Sequence, residues 1–414
     1  MSEKTIQFDL PKDRSSIIKV IGVGGGGSNA VSHMFEQGIK GVDFIVCNTD
    51  SQALESSPVP NKIQLGTSLT QGLGAGENPE VGKNSALETI EQIKGILEIN
   101  TSMVFITAGL GGGTGTGGAP VIAAIAKDLG ILTIGIVTIP FSFEGPKRKL
   151  QAEKGLEEMR KNVDALLIIC NDKLREMYGN LSLTNAFEQA DNVLTTAAKG
   201  IAEVITVPRK INVDFNDANT VLKNSGVAIM GTAAEEGENR AIRAVEQALS
   251  SPLLNDNNIK GAKNVLLDIS SGTGVNEITM DEISEINDYV QEEAGSTANV
   301  IMGIGLDESL ENKVNVTIIA TGFNTNTDLG FISAKQPEKI VMTLDEDAEE
   351  QPTNRPIFGM DSRQTVGSSQ ADKGFTSNPQ TQDKAETPKE PETAPPSERA
   401  GDEPFIKTTS PSQA

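Results

Sequence analysis

The chain has 414 residues, which suggests two or three units with at least one sizeable core. With 57 acidic against 35 basic residues its net charge is −22, a poor match for nucleic acid or anionic membranes, which are bound mainly through Lys and Arg. Two cysteines and one histidine argue against a disulfide framework, a structural zinc site and a histidine-based nucleophilic triad.

Residues 1–14 are charged and lack an apolar stretch of signal-peptide type, so they read as an N-terminal extension. A strand at residues 17–23 runs into four glycines, with a helix expected from about Ser28. A second strand, residues 44–47, ends at Asn48-Thr49-Asp50. A third, residues 103–108, leads through further glycines to an apolar helix at 120–129, and residues 131–139 and 165–170 add two more strands. Cys47 and Cys170 fall in these apolar runs and read as reduced core residues of a cytosolic protein. Strand–glycine–helix alternation predicts a parallel α/β sheet, and unbroken apolar runs fit strands buried on both faces. Within residues 185–205, Phe187, Ala190, Leu194, Ala197, Ile201 and Ile205 recur at three–four spacing, which predicts one long buried helix. Helices near 217–224, 240–249 and 281–294, with strands at 265–270, 300–304 and 314–320, make a smaller second α/β domain. From Lys335 onward, 80 residues hold 10 of the 19 prolines and 15 acidic against 9 basic residues. Such a segment buries too little surface to offset its ordering entropy and is expected to be disordered. The expected organisation is a first domain at 15–180, a central helix at 181–205, a second domain at 206–332 and an acidic Pro-rich tail at 333–414. No run approaches 18 apolar residues, so direct membrane insertion is not expected.

Glycine is abundant, at 41 residues or about a tenth of the chain against ~7% on average. Gly22-Val23-Gly24-Gly25-Gly26-Gly27-Ser28-Asn29 satisfies G-x-G-x-x-G. Alone, this marks either a dinucleotide-type phosphate turn at a helix N-terminus or a strand-to-helix turn with no ligand. The second loop is more specific. From Gly109 to Gly118 seven of ten residues are glycine, at a considerable cost in folding entropy. Gly111, Gly112, Gly113, Thr114, Gly115 and Thr116 offer a nest of backbone N–H groups and two hydroxyls, aimed at an anion by a helix dipole. No Gly-Lys-Ser/Thr follows, so phosphates would be neutralised by amides, a metal and the dipole rather than by a loop lysine. A third loop, residues 66–79, adds Gly74, Ala75 and Gly76. Three such loops on one sheet edge suit a triphosphate better than a dinucleotide.

Taken in order, Gly22 to Asn29, Asn48-Thr49-Asp50, Gly72 to Gly76, Gly109 to Gly118, Pro140 to Gly145, Asn171 to Leu174 and Asn212 to Asp217 form seven co-linear motifs. This set resembles the FtsZ family of bacterial tubulin-like cell-division GTPases, over about residues 15–330. The resemblance implies a tubulin-like α/β fold, GTP hydrolysis and head-to-tail homopolymers forming a cytoplasmic ring at the division site under the inner membrane. It implies GTP or GDP as the bound nucleotide, Mg2+ with it, and a monovalent cation as a further candidate, with metal ligands unassigned. It makes Gly24, Gly25, Gly26, Gly27, Asn29, Asn48, Gly74, Ala75 and Gly76 nucleotide-loop contacts and Gly111 to Thr116 the phosphate loop. It makes Glu144 and Arg148 ribose- and phosphate-side contacts, and Asn171 and Asp191 guanine readers. Guanine presents N1–H and N2–H2 as adjacent donors that an amide or carboxylate oxygen accepts, which adenine does not. Read without the surrounding motifs, Asp191 is a solvent-facing helix acid.

Asn212, Asp214 and Asp217 remain. By spacing alone, Asp214 and Asp217 are a helix N-cap and a first-turn acid. The resemblance implies instead a loop that reaches the nucleotide of the next subunit, where the acids polarise water and help hold a cation. Near the end of the chain, residues 402–407, with Pro404, Phe405 and Ile406 at their centre, loosely resemble the peptide through which the family docks membrane anchors and other division proteins. A featureless linker is the competing reading, and Arg355-Pro356-Ile357-Phe358 the alternative docking segment. Two rival functions stand beside the main one: an NAD-dependent oxidoreductase built on the first glycine loop, and a non-hydrolysing tubulin-like scaffold.

Overall fold

A computed structural model describes residues 16–179, 182–207, 209–251 and 259–323. The extension at 1–14, the tail at 333–414 and both docking segments, including Pro404, Phe405 and Ile406, lie outside the described residues. The strands are β1 (Ile18–Val23), β2 (Val42–Asn48), β3 (Asn61–Gln64), β4 (Met103–Gly109), β5 (Leu132–Ile139), β6 (Ala165–Cys170), β7 (Gly226–Glu236), β8 (Asn264–Ser271), β9 (Asn299–Leu306) and β10 (Lys313–Thr321). The helices are α1 (Gly24–Glu36), α2 (Ser51–Ser56), α3 (Thr67–Thr70), α4 (Pro79–Glu88), α5 (Ile90–Leu97), α6 (Thr114–Asp128), α7 (Pro146–Asn162), α8 (Asn171–Tyr178), α9 (Leu183–Thr206), α10 (Phe215–Leu222), α11 (Arg240–Leu249) and α12 (Met280–Ala294).

The strands form one sheet in the order β3-β2-β1-β4-β5-β6-β7-β10-β8-β9. From β3 to β6 every pairing is parallel. β7 continues the sheet in parallel through only two residue pairs, Ala165 with Gly226 and Leu166 with Val227, then pairs antiparallel with β10. Alternate residues of one strand feed different cores, as period-two geometry requires. Val20 of β1 packs with Val31 of α1 and Ala197 of α9, whereas Ile21 joins Ile93 of α5 and Ile122 of α6. A third cluster lies in the second half between β8, β10, α11 and α12.

Two helices begin earlier than their apolar residues suggest. α1 starts at Gly24 and α6 at Thr114, so the glycine runs supply the first helical turns. First-turn N–H groups have no intrahelical partner, which suits chain destined to face a ligand. Pro120 therefore sits inside α6 at the cost of one backbone hydrogen bond. α7 and β7 carry weak apolar signals: α7 buries only Ala152, Gly155, Leu156 and Met159, and β7 is rich in Ala, Gly and Glu. Cys47 is fully buried, and burial pushes its thiol up to about 12, which keeps it inert. Cys170, expected in the core, is only half-buried at the end of β6.

The junction between the two halves depends on Asp164, which is buried. Its carboxylate accepts from the Thr133 N–H at 3.0 Å and the Asn224 N–H at 3.3 Å, while its carbonyl accepts from the Gly226 N–H at 2.9 Å. Asp164→Leu strands the buried Thr133 N–H and frees the more exposed Asn224 N–H, and is expected to cost about 1–3 kcal/mol, with Asp164→Asn losing less. The urea midpoint of unfolding measures it, and an unchanged midpoint in the Leu variant would show that the carboxylate does not hold the junction.

Candidate functional site

A cavity of about 280 Å³ opens at the C-terminal ends of β1, β4, β5 and β6. There the chain order reverses between β1 and β4, the usual crevice for a ligand in an open α/β sheet. Its wall includes Gly25 and Gly26 of α1, then Gly112, Gly113, Thr114 and Gly115 at the start of α6. Thr138, Pro140, Glu144, Arg148, Asn171, and Phe187, Ala190, Asp191 and Leu194 of α9 complete it. Larger clefts exist, among them one of about 740 Å³ between α4, α6 and α7, one of about 600 Å³ between α9 and the second half, and one of about 340 Å³ beside Phe141, Leu174 and Ala186. The smaller cavity is faced by the glycine-rich first turns of α1 and α6.

Those turns interlock. Gly24 has φ 72°, and a Cβ there would lie 2.7 Å from the Gly115 nitrogen, so the first loop approaches the second closely only as glycine. A Cβ at Gly25 or Gly112 would meet nothing within 4 Å, which leaves their backbone facing open space. Several assigned residues shape the cradle without lining it. The Thr116 hydroxyl accepts from the Gly111 N–H at 2.9 Å, and Asn48 Oδ1 accepts from the Thr49 N–H at 2.9 Å. The Thr49 and Thr114 hydroxyls are hydrogen-bonded at 2.7 Å. Gly74 donates to the Thr49 carbonyl at 3.2 Å, and the loop through Ala75 and Gly76 backs onto Gly113, where a Cβ would meet Ala75 Cβ at 2.8 Å. Gly27 is buried and Asn29 is exposed on α1, both outside the wall.

The side chains of the wall are mostly acceptors. Asn171 is buried, and its Oδ1 has no hydrogen-bond partner within the protein. Burial, reinforced by the neighbouring charge of Glu188, pushes the Asp191 carboxyl up to about 7. Arg148 is held between two acids, with Nη1 donating to Glu144 at 2.7 Å and Nη2 to Glu77. The Arg148 guanidinium keeps the Glu77 carboxyl below the usual range, and both acids raise the arginine further. Phe187, read from sequence only as a marker of helical period, reaches the wall and meets Phe141 edge-on at 5.4 Å. Its proximity to two acceptors is a tertiary fact with no local signal.

Asn212, Asp214 and Asp217 are elsewhere. α9 runs from beyond the C-terminal end of β6 back to Thr206, whose hydroxyl donates to the Lys40 carbonyl just before β2. After α10, Asn224 and Gly226 bond to Asp164 at the start of β6. The intervening segment is thus anchored at both ends to the N-terminal edge of the strands. Asp214 and Asp217 cap each other's backbone there, at 3.1 and 2.8 Å, and Asn212 Oδ1 accepts from the Arg209 N–H at 2.6 Å. The helix-cap geometry is fully realised, on the edge opposite the cavity.

Residues 17–179 match the Tubulin/FtsZ family, GTPase domain, and residues 226–324 match the FtsZ family, C-terminal domain. Cell division protein FtsZ of Wigglesworthia glossinidia brevipalpis is 48% identical over 330 residues, covering 79% of this chain and 85% of that one. The chain belongs to the FtsZ family. The FtsZ of Porphyromonas gingivalis is 51% identical over 313 residues, 75% of this chain and 68% of the relative. Among solved structures, an empty FtsZ dimer of M. jannaschii superposes with a TM-score of 0.69 at 42% identity, over 74% of this chain and 88% of that one. As a member of this family the chain is a GTPase that binds guanine nucleotide, and the oxidoreductase reading of the first loop falls.

The titration of Asp191 has a consequence for the free protein. Its folded value of about 7 stands above the ordinary 3.8, so its contribution to stability is fully present below pH 3.8 and is lost as pH rises through 7. Asp191→Asn, which does not ionise, is expected to melt above the parent at pH 8 without nucleotide, with the gap closing toward pH 4. Calorimetry across that range measures it, and a gap independent of pH would mean that Asp191 does not titrate in place.

Proposed function

We propose that this chain is a cell-division GTPase that assembles head to tail, each nucleotide being held by one subunit and hydrolysed with Asp214 and Asp217 of the next. The carrying observation is that cavity and acids occupy opposite edges of one sheet. Within a single chain the acids do not face the cavity, whereas a second copy stacked along the same axis brings its acid edge onto it. Such a contact is heterologous and does not close, so repetition gives a filament.

Each part then has a physical task. Backbone N–H groups of Gly25, Gly26 and residues 112–115 receive the phosphates, aided by the positive ends of α1 and α6. Asn171 Oδ1 and Asp191 accept the guanine N1–H and N2–H2, which explains an acceptor left orphaned in the wall. Glu144 and Arg148 sit toward the ribose and phosphates. Mg2+ bound with the phosphates would supply charge neutralisation there. Among the described residues no group of three or more His, Cys, Asp or Glu side chains could hold a metal ion. From the adjoining subunit, Asp214 and Asp217 orient and polarise the attacking water, Asn212 supports their loop, and the acids help hold a monovalent cation.

Two measurements test this. Asp217→Ala is expected to keep GTP affinity within about twofold while turnover falls by about 100-fold or more, since positioning and charge at the water supply much of the barrier lowering in phosphoryl transfer. Mixing it with a Gly112→Val variant, blocked at the cavity, should restore part of the turnover at mixed junctions. If neither carboxylate affects turnover, the two acids are helix caps and nothing more.

No described helix is long and apolar enough to cross a membrane. We propose that filaments reach the division site under the inner membrane through the terminal segment, with Phe405 and Ile406 filling an apolar pocket on a membrane anchor while the neighbouring charges set orientation. Many weak tails on one filament gain avidity. Deleting residues 404–414 should leave GTP turnover and filament scattering unchanged and abolish recruitment to anchor-bearing vesicles. Retained recruitment would move the docking role to residues 355–358.

A further inference from the structure

We infer that Arg209 is the positioning residue of the acid-bearing loop, acting through Asn212 and Asp214 rather than on the nucleotide itself. The inference rests on the reading of those acids given above. Four observations support it. The Arg209 side chain is 7% exposed and Nη1 lies 2.9 Å from Asp268 Oδ1 of β8, whose side chain is 4% exposed. The same Nη1 donates to the Ser270 hydroxyl at 2.8 Å, so one guanidinium nitrogen meets β8 through an ion pair and a hydrogen bond. The Arg209 backbone N–H donates to Asn212 Oδ1 at 2.6 Å, which folds the loop back on that contact. Beyond it, the N–H groups of Lys210 and Ile211 both donate to the Ile304 carbonyl, at 2.8 and 3.1 Å, and the Ile304 N–H returns to Ile211 at 3.0 Å. Gly305 makes room: a Cβ there would lie 2.6 Å from Nη1. The loop is therefore bound to β8 and β9 immediately before the residues that must point at a neighbour.

Stability alone explains this arrangement poorly. Burial of two charges is expensive, and replacing such a pair by apolar side chains is commonly neutral or stabilising. Here burial outweighs the guanidinium and pushes the Asp268 carboxyl up to about 6, with the Glu203 charge adding to the rise. Arg209 Nε is also buried without a partner. What the contact does supply is direction, because a planar guanidinium that donates from Nη1 to the Ser270 hydroxyl with Asp268 beside it admits few orientations. Apolar contacts at the same place would hold the loop without fixing its register.

That difference makes the test. Arg209→Met combined with Asp268→Leu removes the pair while keeping the volume apolar, so its melting temperature should stay near that of the parent. Turnover per sedimented subunit at saturating GTP is expected to fall by about tenfold or more, as for acids displaced by a fraction of an ångström, while the GTP dissociation constant changes less than about twofold. Arg209→Lys, with Asp268 retained, should recover turnover to within about threefold of the parent, because it keeps one charged anchor. Parental turnover per sedimented subunit in the double variant would overturn the inference, as would a loss of GTP affinity equal to the loss of turnover. Asp217→Ala measured in parallel separates the two ideas. If it too turns over normally, the acids themselves are misassigned and the inference falls with them. If it is inactive while the double variant is not, only the role of Arg209 fails.

Discussion

The apolar stripe of α9 packs against both halves of the molecule at once, and the placement of everything else follows from it. Ala190, Val193, Leu194, Ala197, Ala198, Ile201 and Ala202 share one core with Phe105 and Ile134 of the first half and with Met230, Leu266 and Ile319 of the second. At 1.5 Å per residue its 24 residues form a rod of about 36 Å. Phe187 and Asp191 sit near its start, in the cavity wall, and the loop carrying the acids leaves its end. The rod therefore sets the distance and direction between the cavity and the loop that carries Asp214 and Asp217.

Glycine solves the complementary problem at the cavity. Phosphate recognition by backbone requires that the chain approach the anion with nothing in the way, and two helix N-termini must approach each other to do so. Some glycines are open to the cavity, as at Gly25 and Gly112, and others permit contact inside the protein, as where Gly24 meets Gly115. The conformational entropy lost on folding is offset by the large apolar clusters on both faces of the sheet.

Burial of acceptors and charges runs against stability at each place where function needs it. Asn171 Oδ1 lacks a partner, Asp191 is raised by burial in the wall, and Asp268 is raised by burial under the acid loop. The first two face the cavity, whereas Asp268 has the Arg209 guanidinium beside it as an ion pair within the chain. Desolvated groups of this kind bind more selectively than exposed ones, because an unmatched ligand leaves them unpaired.

The parallel sheet, the long helix, the glycine cradle and the family were legible in the amino-acid sequence, because each is written in consecutive residues. Apolar runs, three–four spacing and strings of glycine carry their meaning locally. Even so, the N-termini of α1 and α6 were misplaced, since glycine in a first helical turn and glycine in a loop look alike without the hydrogen-bonded chain that follows. β7 was not visible at all, its strand character coming from pairing with β10 rather than from its own Ala, Gly and Glu residues. Phe187 was visible as a core marker and not as part of the wall, and Arg209 gave no signal, because its partner lies on a strand far along the chain. For Asp214 and Asp217 the sequence determined the cap, a matter of three-residue spacing. Only the tertiary structure decided that they lie opposite the cavity, because that depends on where α9 and the two-pair junction of β6 with β7 return the chain, and those are contacts between distant residues.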